Sequence, residues 1–253
     1  MHPSSHAELI AERLAAALAP QALGIALVGS VAAGTDHPHS DIDLICATAE
    51  SSGTEIRQVE GRMVTLTRAT PAALAAALTS PRDAAPAAAA WRRARILHDP
   101  DGVLASLQKA AAAWTWDALG PAADAWAAIE LVGLAEEIHK ICGMLTLGRP
   151  RAAAANRLIV TLALAVPYAA AHRISYDSEN DLWDALADHD RAWAAAWDTA
   201  AGLTPADPAS AACAALRLYR IAATALRAHA TAADRALIDT ATGLAERTIE
   251  EHS

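Results

Sequence analysis

The sequence contains no phenylalanine, and tryptophan and tyrosine together supply only 4% of its 253 residues. Its interior therefore has to be built from Leu, Val, Ile and the abundant Ala, a composition that favours helices. Cysteine is scarce and odd in number. Cys46, Cys142 and Cys213 lie far apart among apolar residues, which excludes a disulfide framework and leaves each as a small hydrophobe in a reducing cytoplasm. Basic residues are also few: 20 Lys and Arg against 29 Asp and Glu leave a formal net charge of −9. Such a chain has no general field for a polyphosphate backbone, which argues against nucleic acid as the main partner. No basic segment followed by an apolar one opens the chain. The longest apolar stretch, 158–171, is interrupted by Thr161 and Pro167, so neither an export signal nor a membrane span is expected. With 12 Gly, 12 Pro and 54% hydrophobic residues, a collagen-like, low-complexity or largely disordered chain is excluded as well.

What is present reads as two domains. Residues 6–18 place Ile10, Leu14 and Leu18 on one helix face, with Ser4 or Ser5 as N-cap and Pro20 beyond the end. The apolar run 23–28 predicts a buried strand stopping at Gly29-Ser30. Residues 41–46 predict a second strand with Asp41 and Asp43 on one face and Ile42 and Leu44 on the other. A third is expected at 63–67, then a helix capped by Thr70-Pro71, a strand at 95–98 and a helix at 103–114. After Gly120-Pro121 the strand signals stop. Long helical segments are expected at 122–147, 151–172, 177–187 and 206–229, with a last one from Thr231. The fold class is α+β: an α/β domain with a small mixed sheet over residues 1–118, then an all-α helical bundle over 119–253.

The informative segment is residues 29–44, GSVAAGTDHPHSDIDL. Gly29 allows close approach of backbone to a ligand, and Ser30 offers a hydroxyl and an amide suited to phosphate oxygens. Asp41 and Asp43, two apart on a strand, point the same way and can hold Mg²⁺ on a nucleoside triphosphate. A Gly-Ser alone is ordinarily a capped turn, and an Asp-x-Asp alone a solvated strand end. Their combination, at this separation and after an apolar strand, points to metal-triphosphate chemistry.

This segment resembles the signature of the DNA polymerase β-like nucleotidyltransferase superfamily. Glu136-Glu137-Ile138-His139-Lys140, and His172-Arg173-Ile174-Ser175-Tyr176 with its following Ser-Glu-Asn, resemble the helical domain of the kanamycin (aminoglycoside 4'-) nucleotidyltransferases. The resemblance spans both expected domains and is loose between motifs. It implies Glu136 as general base, Lys140 on the triphosphate, and Gly29 and Ser30 at the phosphates. Asp41 and Asp43 are implied as catalytic metal ligands, with Mg²⁺ as cofactor and a nucleoside triphosphate, ATP, as donor. It further implies a hydroxylated small acceptor such as an aminoglycoside, a role in antibiotic resistance and a homodimer. Unaided, Glu136 and Lys140 share a helix face at i and i+4, the spacing of an ordinary surface ion pair.

The sequence also departs from that pattern. Thr65 stands where the family carries a third carboxylate. Three consequences are open: Glu55 or Glu60 reaches the site, Asp41 and Asp43 suffice, or turnover is weak or absent. Ala32 and Ala33 replace a basic residue often present after the Gly-Ser, so Arg62 or Arg68 is expected to help bind phosphates. The alternatives in function are an altered or inactive protein acting as a binding or antitoxin-type partner, and a natural-product biosynthetic enzyme using the same site. Weaker candidates are His37 and His39, in a loop, and the acidic 176–181 stretch, which suits either a cationic acceptor or a helix N-cap. His2 and His6 are the one i, i+4 histidine pair, at a terminus and without cysteines nearby, so a structural zinc is not expected. The tryptophans are expected to pack the Ala-rich bundle.

Overall fold

The computed structural model describes residues 3–252, with side chains from Ser5 onward. It divides into two compact units, Met1–Ala118 and Leu119–Ser253. The fold is α+β, with a small mixed sheet in the N-terminal unit and helices after it.

Among the described residues the sheet has five strands in the order β3-β4-β2-β1-β5, formed by β1 (Gly24–Val28), β2 (Ile42–Ala47), β3 (Gly53–Val59), β4 (Arg62–Ala69) and β5 (Arg95–His98). β1 and β2 are antiparallel, whereas β2 and β4 run parallel with Asp43 opposite Thr65. Alternation does the rest. Ile25, Leu27, Ile42, Leu44, Val64 and Leu66 form one face and are buried with Ile10 of helix α1 (Pro3–Leu18). The opposite face is covered at β1 by α4 (Ala84–Arg93) and α5 (Val103–Ala113). Gly24 is required there because a Cβ would stand 2.6 Å from Leu104 Cγ.

Several expectations are corrected. Helix α1 begins at Pro3, so Ser4 and Ser5 lie inside it and neither caps it; proline is tolerated in a first turn, where N–H groups lack partners anyway. His2 lies outside the described residues. Strand β2 starts at Ile42, leaving Asp41 just ahead of it. Strand β3 and helix α4 have no counterpart in the sequence reading. β3 is an edge strand with polar residues on both faces, so its apolar signal is thin, although the Glu60-Gly61 hairpin, with φ of 50° and 81°, is a recognisable two-residue turn. Thr70 does cap α3 (Pro71–Ala77), accepting from the Ala73 N–H at 3.1 Å.

In the C-terminal unit the first two long segments are each divided. α6 (Pro121–Gly133) and α7 (Ala135–Thr146) meet at Leu134, beside a glycine. α8 (Pro150–Ala163) and α9 (Ala165–Ala171) meet at Leu164, because Pro167 has no N–H for the Ala163 carbonyl. By length and composition alone Pro150–Ala171 could cross a membrane; here α8 packs on α7 and on α12 (Pro208–Leu226). Two further helices precede α12: α10 (Asp181–His189), shorter than expected, and α11 (Arg191–Ala201), which the sequence reading missed. The chain closes with α13 (Ala232–Glu251), capped by Thr231. All three cysteines are buried and free.

The aromatic residues pack as the composition requires. Trp193, 1% exposed, stacks on Tyr168 at 4.1 Å, and the Tyr168 hydroxyl donates to Asp190 Oδ2 at 2.7 Å. Asp190 Oδ1 also caps α11, accepting from the Ala192 and Trp193 N–H groups at 2.7 and 3.1 Å. Burial raises the Asp190 carboxyl, but these three hydrogen bonds outweigh it and hold the group below the ordinary carboxylate range. A carboxylate so depressed contributes stability that is complete above its unfolded pKa of about 3.9 and is lost as pH falls through the folded value. Asp190→Ala is expected to cost about 1 kcal/mol for the cap, plus about 1 to 3 kcal/mol for the Tyr168 hydroxyl left without an acceptor. Urea unfolding should show that loss at neutral pH and a smaller one in acid. Asp207→Ala, which removes the cap of α12 and the acceptor of the Ser210 hydroxyl but strands no buried group, should lose less.

Candidate active site

Gly29, Ser30, Asp41 and Asp43 come together in the N-terminal unit because β1 and β2 are neighbours. The register puts Val28 opposite Asp43, so the turn leaving β1 starts beside that carboxylate. Gly29 has φ +71°, and a Cβ on it would stand 2.3 Å from Asp43 Oδ2. Glycine here provides both a left-handed backbone and room for the carboxylate. The next residues, Gly29–Ala33, form one short helix, α2, which closes when the Gly34 N–H reaches the Val31 carbonyl.

Thr65 lies on the same face as Asp43, opposite it in the parallel register, and its neighbours Val64 and Leu66 point into the core. Its hydroxyl donates to Asp41 Oδ2 at 2.8 Å. A carboxylate has about four lone-pair positions, so this bond orients Asp41 and leaves it able to accept more. Both aspartates are half-buried hard-oxygen donors on one face, a donor set that suits Mg²⁺, which binds through one or two carboxylates plus water and substrate oxygens. Among the described residues no three His, Cys, Asp or Glu side chains gather as a metal-binding group.

The substitute acids do not reach this face. Glu55 is opposite Leu66 in the β3–β4 register, hence on the α1 side of the sheet, and is held by Arg57 and Arg68. Hydrogen bonds from these guanidiniums pull its carboxyl down to about 2. Glu60 sits in the hairpin turn and pairs with Arg13 at 2.5 Å and His6 at 3.8 Å, both on α1. Nor are the two expected phosphate-binding arginines available. Arg68 is engaged by Glu55, while Arg62 donates to the Ser40 carbonyl at 2.8 Å and lies 3.7 Å from Asp36. These arginines hold the loop and the edge strand in place. His37 and His39 are exposed and shape the same loop, the His39 N–H donating to His37 Nδ1 at 3.1 Å.

In the C-terminal unit Glu136 and Lys140 meet on α7 at 2.8 Å, and Lys140 also lies 3.4 Å from Glu137. The Glu136 side chain is 73% exposed, and the hydrogen bond from Lys140 lowers its pKa. That is the signature of a surface ion pair, and a lowered pKa makes a weaker base. The 176–181 stretch forms the turn into α10: the Asp181 N–H donates to Ser178 Oγ at 3.2 Å, and the Ser178 hydroxyl donates to Asp181 Oδ2 at 2.7 Å.

Gly34 has the same φ of +71° as Gly29, but a Cβ there would meet nothing within 4 Å. Alanine at either position is expected to cost about 1 to 2 kcal/mol of backbone strain. Only Gly29→Ala should displace the Asp43 carboxylate, which a shift of its ¹³C carboxyl resonance will report.

No curated protein matches the chain. A crystal structure of a nucleotidyltransferase-like protein from Exiguobacterium sibiricum aligns over 98% of this chain and 78% of its own, at 14% identity and a TM-score of 0.49. Residues 10–67, which contain Gly29, Ser30, Asp41, Asp43 and Thr65, match the family model described as a nucleotidyltransferase domain, and this match supports nucleotidyl transfer as the general activity.

Proposed function

We propose that the protein transfers a nucleoside monophosphate from a nucleoside triphosphate, with Mg²⁺, to a hydroxyl of a small molecule. The observation that carries this reading is the Gly29–Asp43 approach, with Asp41 fixed beside it by Thr65. Asp41 and Asp43 would hold Mg²⁺, which when bound neutralises charge on the phosphate oxygens. The Gly29–Ser30 turn supplies an N–H and a hydroxyl to the leaving phosphates. The acceptor oxygen forms a bond to the α-phosphorus as the bond from that phosphorus to the bridging oxygen breaks; the hydroxyl proton passes to a base and pyrophosphate departs. On the resemblance, Glu136 is assigned the proton and Lys140 the pyrophosphate. ATP as donor, an aminoglycoside-like or other hydroxylated acceptor, a resistance role, a cytoplasmic location and a homodimeric state belong to the same proposal. Thr65 favours a second reading, in which the chain keeps nucleotide binding with little or no turnover, because a hydroxyl cannot supply the charge of the third carboxylate.

Three measurements test these readings. Asp41→Asn and Asp43→Asn each remove a ligand and a full charge, so Mg²⁺-dependent ATP binding by calorimetry should disappear while circular dichroism stays unchanged. Binding equal to the parent's would remove the metal assignment. Thr65→Glu should fold, since Thr65 faces away from the core, and should tighten Mg²⁺ binding; a variant that does not fold would overturn that placement. Glu136→Gln should lower turnover by about 10² to 10⁴ fold if it is the base, and should leave turnover near the parent's if it is only the ion pair seen on α7.

A further inference from the structure

The open face of the sheet continues beyond the aspartates. Register puts Asp43, Thr65 and Ile56 in one row across β2, β4 and β3, and Gln58 opposite Met63 in a neighbouring row. Ile56, on the edge strand β3 where charged residues are the rule, is 67% exposed and Met63 of β4 48%, and together they form an apolar shelf. With Gln58 and the loop residues Pro38 and His39 they line a hollow of about 520 Å³, a size suited to one small molecule. Ser40, which precedes Asp41, also lines it and is tied to β4 by Arg62. The hollow thus reaches the residue before Asp41 and the strand position opposite Thr65.

From this face we infer that the hollow is the acceptor subsite, and that of the two acceptor classes proposed above it takes the other hydroxylated one, an uncharged or anionic molecule with an apolar ring face, and not an aminoglycoside-like polycation. The placement rests on the function proposed above. Attack and departure at phosphorus lie roughly in line, so with pyrophosphate leaving at the Gly29–Ser30 turn on the β1 side, the hydroxyl must approach from the β4–β3 side. The chemistry rests on the lining itself. Its charged members are Arg57, paired with Glu55, and Arg62, held by the Ser40 carbonyl 3.7 Å from Asp36, and no carboxylate lines it. Glu55 points to the other face, and Asp41 and Asp43 are committed to the metal. Ammonium groups would meet an apolar shelf and two already partnered arginines, with no lining carboxylate to replace their hydration. A ring face would cover Ile56 and Met63 and leave its hydroxyls to Gln58 and His39.

The chain has three methionines, so ¹³C-methyl labelling gives a simple spectrum in which Met63→Leu assigns Met63. We expect 4-nitrophenyl β-D-glucopyranoside and 4-nitrophenyl β-D-glucuronide to move the Met63 signal saturably, and tobramycin to leave it in place. Ile56→Ala, at an exposed position that the fold tolerates, should weaken both aryl sugars at least about fivefold, a change of roughly 1 kcal/mol. A Met63 shift with tobramycin, no shift with either aryl sugar up to about 10 mM, the weak end of specific binding, or unchanged affinity in Ile56→Ala would overturn the inference. The Ser30 amide signal, followed as Mg·ATP is added, tests the nucleotide site separately. If it fails to move, the proposed function is wrong whatever the Met63 signal does.

Discussion

The parallel pairing of β2 with β4, in step from Ile42 opposite Val64 to Ala47 opposite Ala69, decides which face the polar side chains of both strands take. Side chains alternate along a strand, so burying Ile42, Leu44, Val64 and Leu66 beneath α1 forces Asp43 and Thr65 to the other face together. A slip of β2 by one residue would place Asp43 under α1 and would expose Ile42 and Leu44. The same pairing extends to β3 and sorts its side chains, sending Glu55 to the α1 side with Arg57 and Arg68 and leaving Ile56 beside Thr65. The hydrophobic core thus determines which acids can take part in chemistry.

The loop between α2 and β2 depends on that sheet for its own shape. Arg62 donates to the Ser40 carbonyl, the His37 N–H donates to Ser40 Oγ, and Thr65 donates to Asp41. These bonds come from β4 and from within the loop, so Asp41 is positioned even though it lies outside the strand. Thr65 carries two consequences at once: it supplies a bond that orients Asp41 and withholds the charge that a carboxylate would bring.

The C-terminal unit solves a different problem, packing a bundle without phenylalanine. Alanines let the helices approach closely, as along α12, where Ala212, Ala215 and Ala222 are fully buried beside Leu216 and Tyr219. Where larger volume is needed, Trp193 on Tyr168 supplies it, and Asp190 satisfies the polar end of that stack while capping α11. One carboxylate serves three hydrogen bonds, and with the neighbouring His172, whose pKa burial lowers, it makes that region acid-sensitive.

By itself the sequence determined what local chemistry can determine. Apolar runs with the right period marked β1, β2, β4, β5 and most helices; Thr70-Pro71 marked a cap and Thr231 the start of the last helix; and the Gly-Ser and Asp-x-Asp pair marked the aspartates and their turn. It could not supply β3 or α4, because an edge strand with polar residues on both faces and a short alanine-rich helix carry little periodic signal and are stabilised by their neighbours. Nor could it decide among the acids or arginines that the resemblance left open. Glu55, Glu60, Arg62 and Arg68 are all close in sequence to the site, yet which face or partner each takes is set by strand register and by α1, contacts far apart in the chain. The Ile56–Met63 shelf has the same origin: two ordinary apolar residues become a surface only when β3 folds back on β4 beside the aspartates.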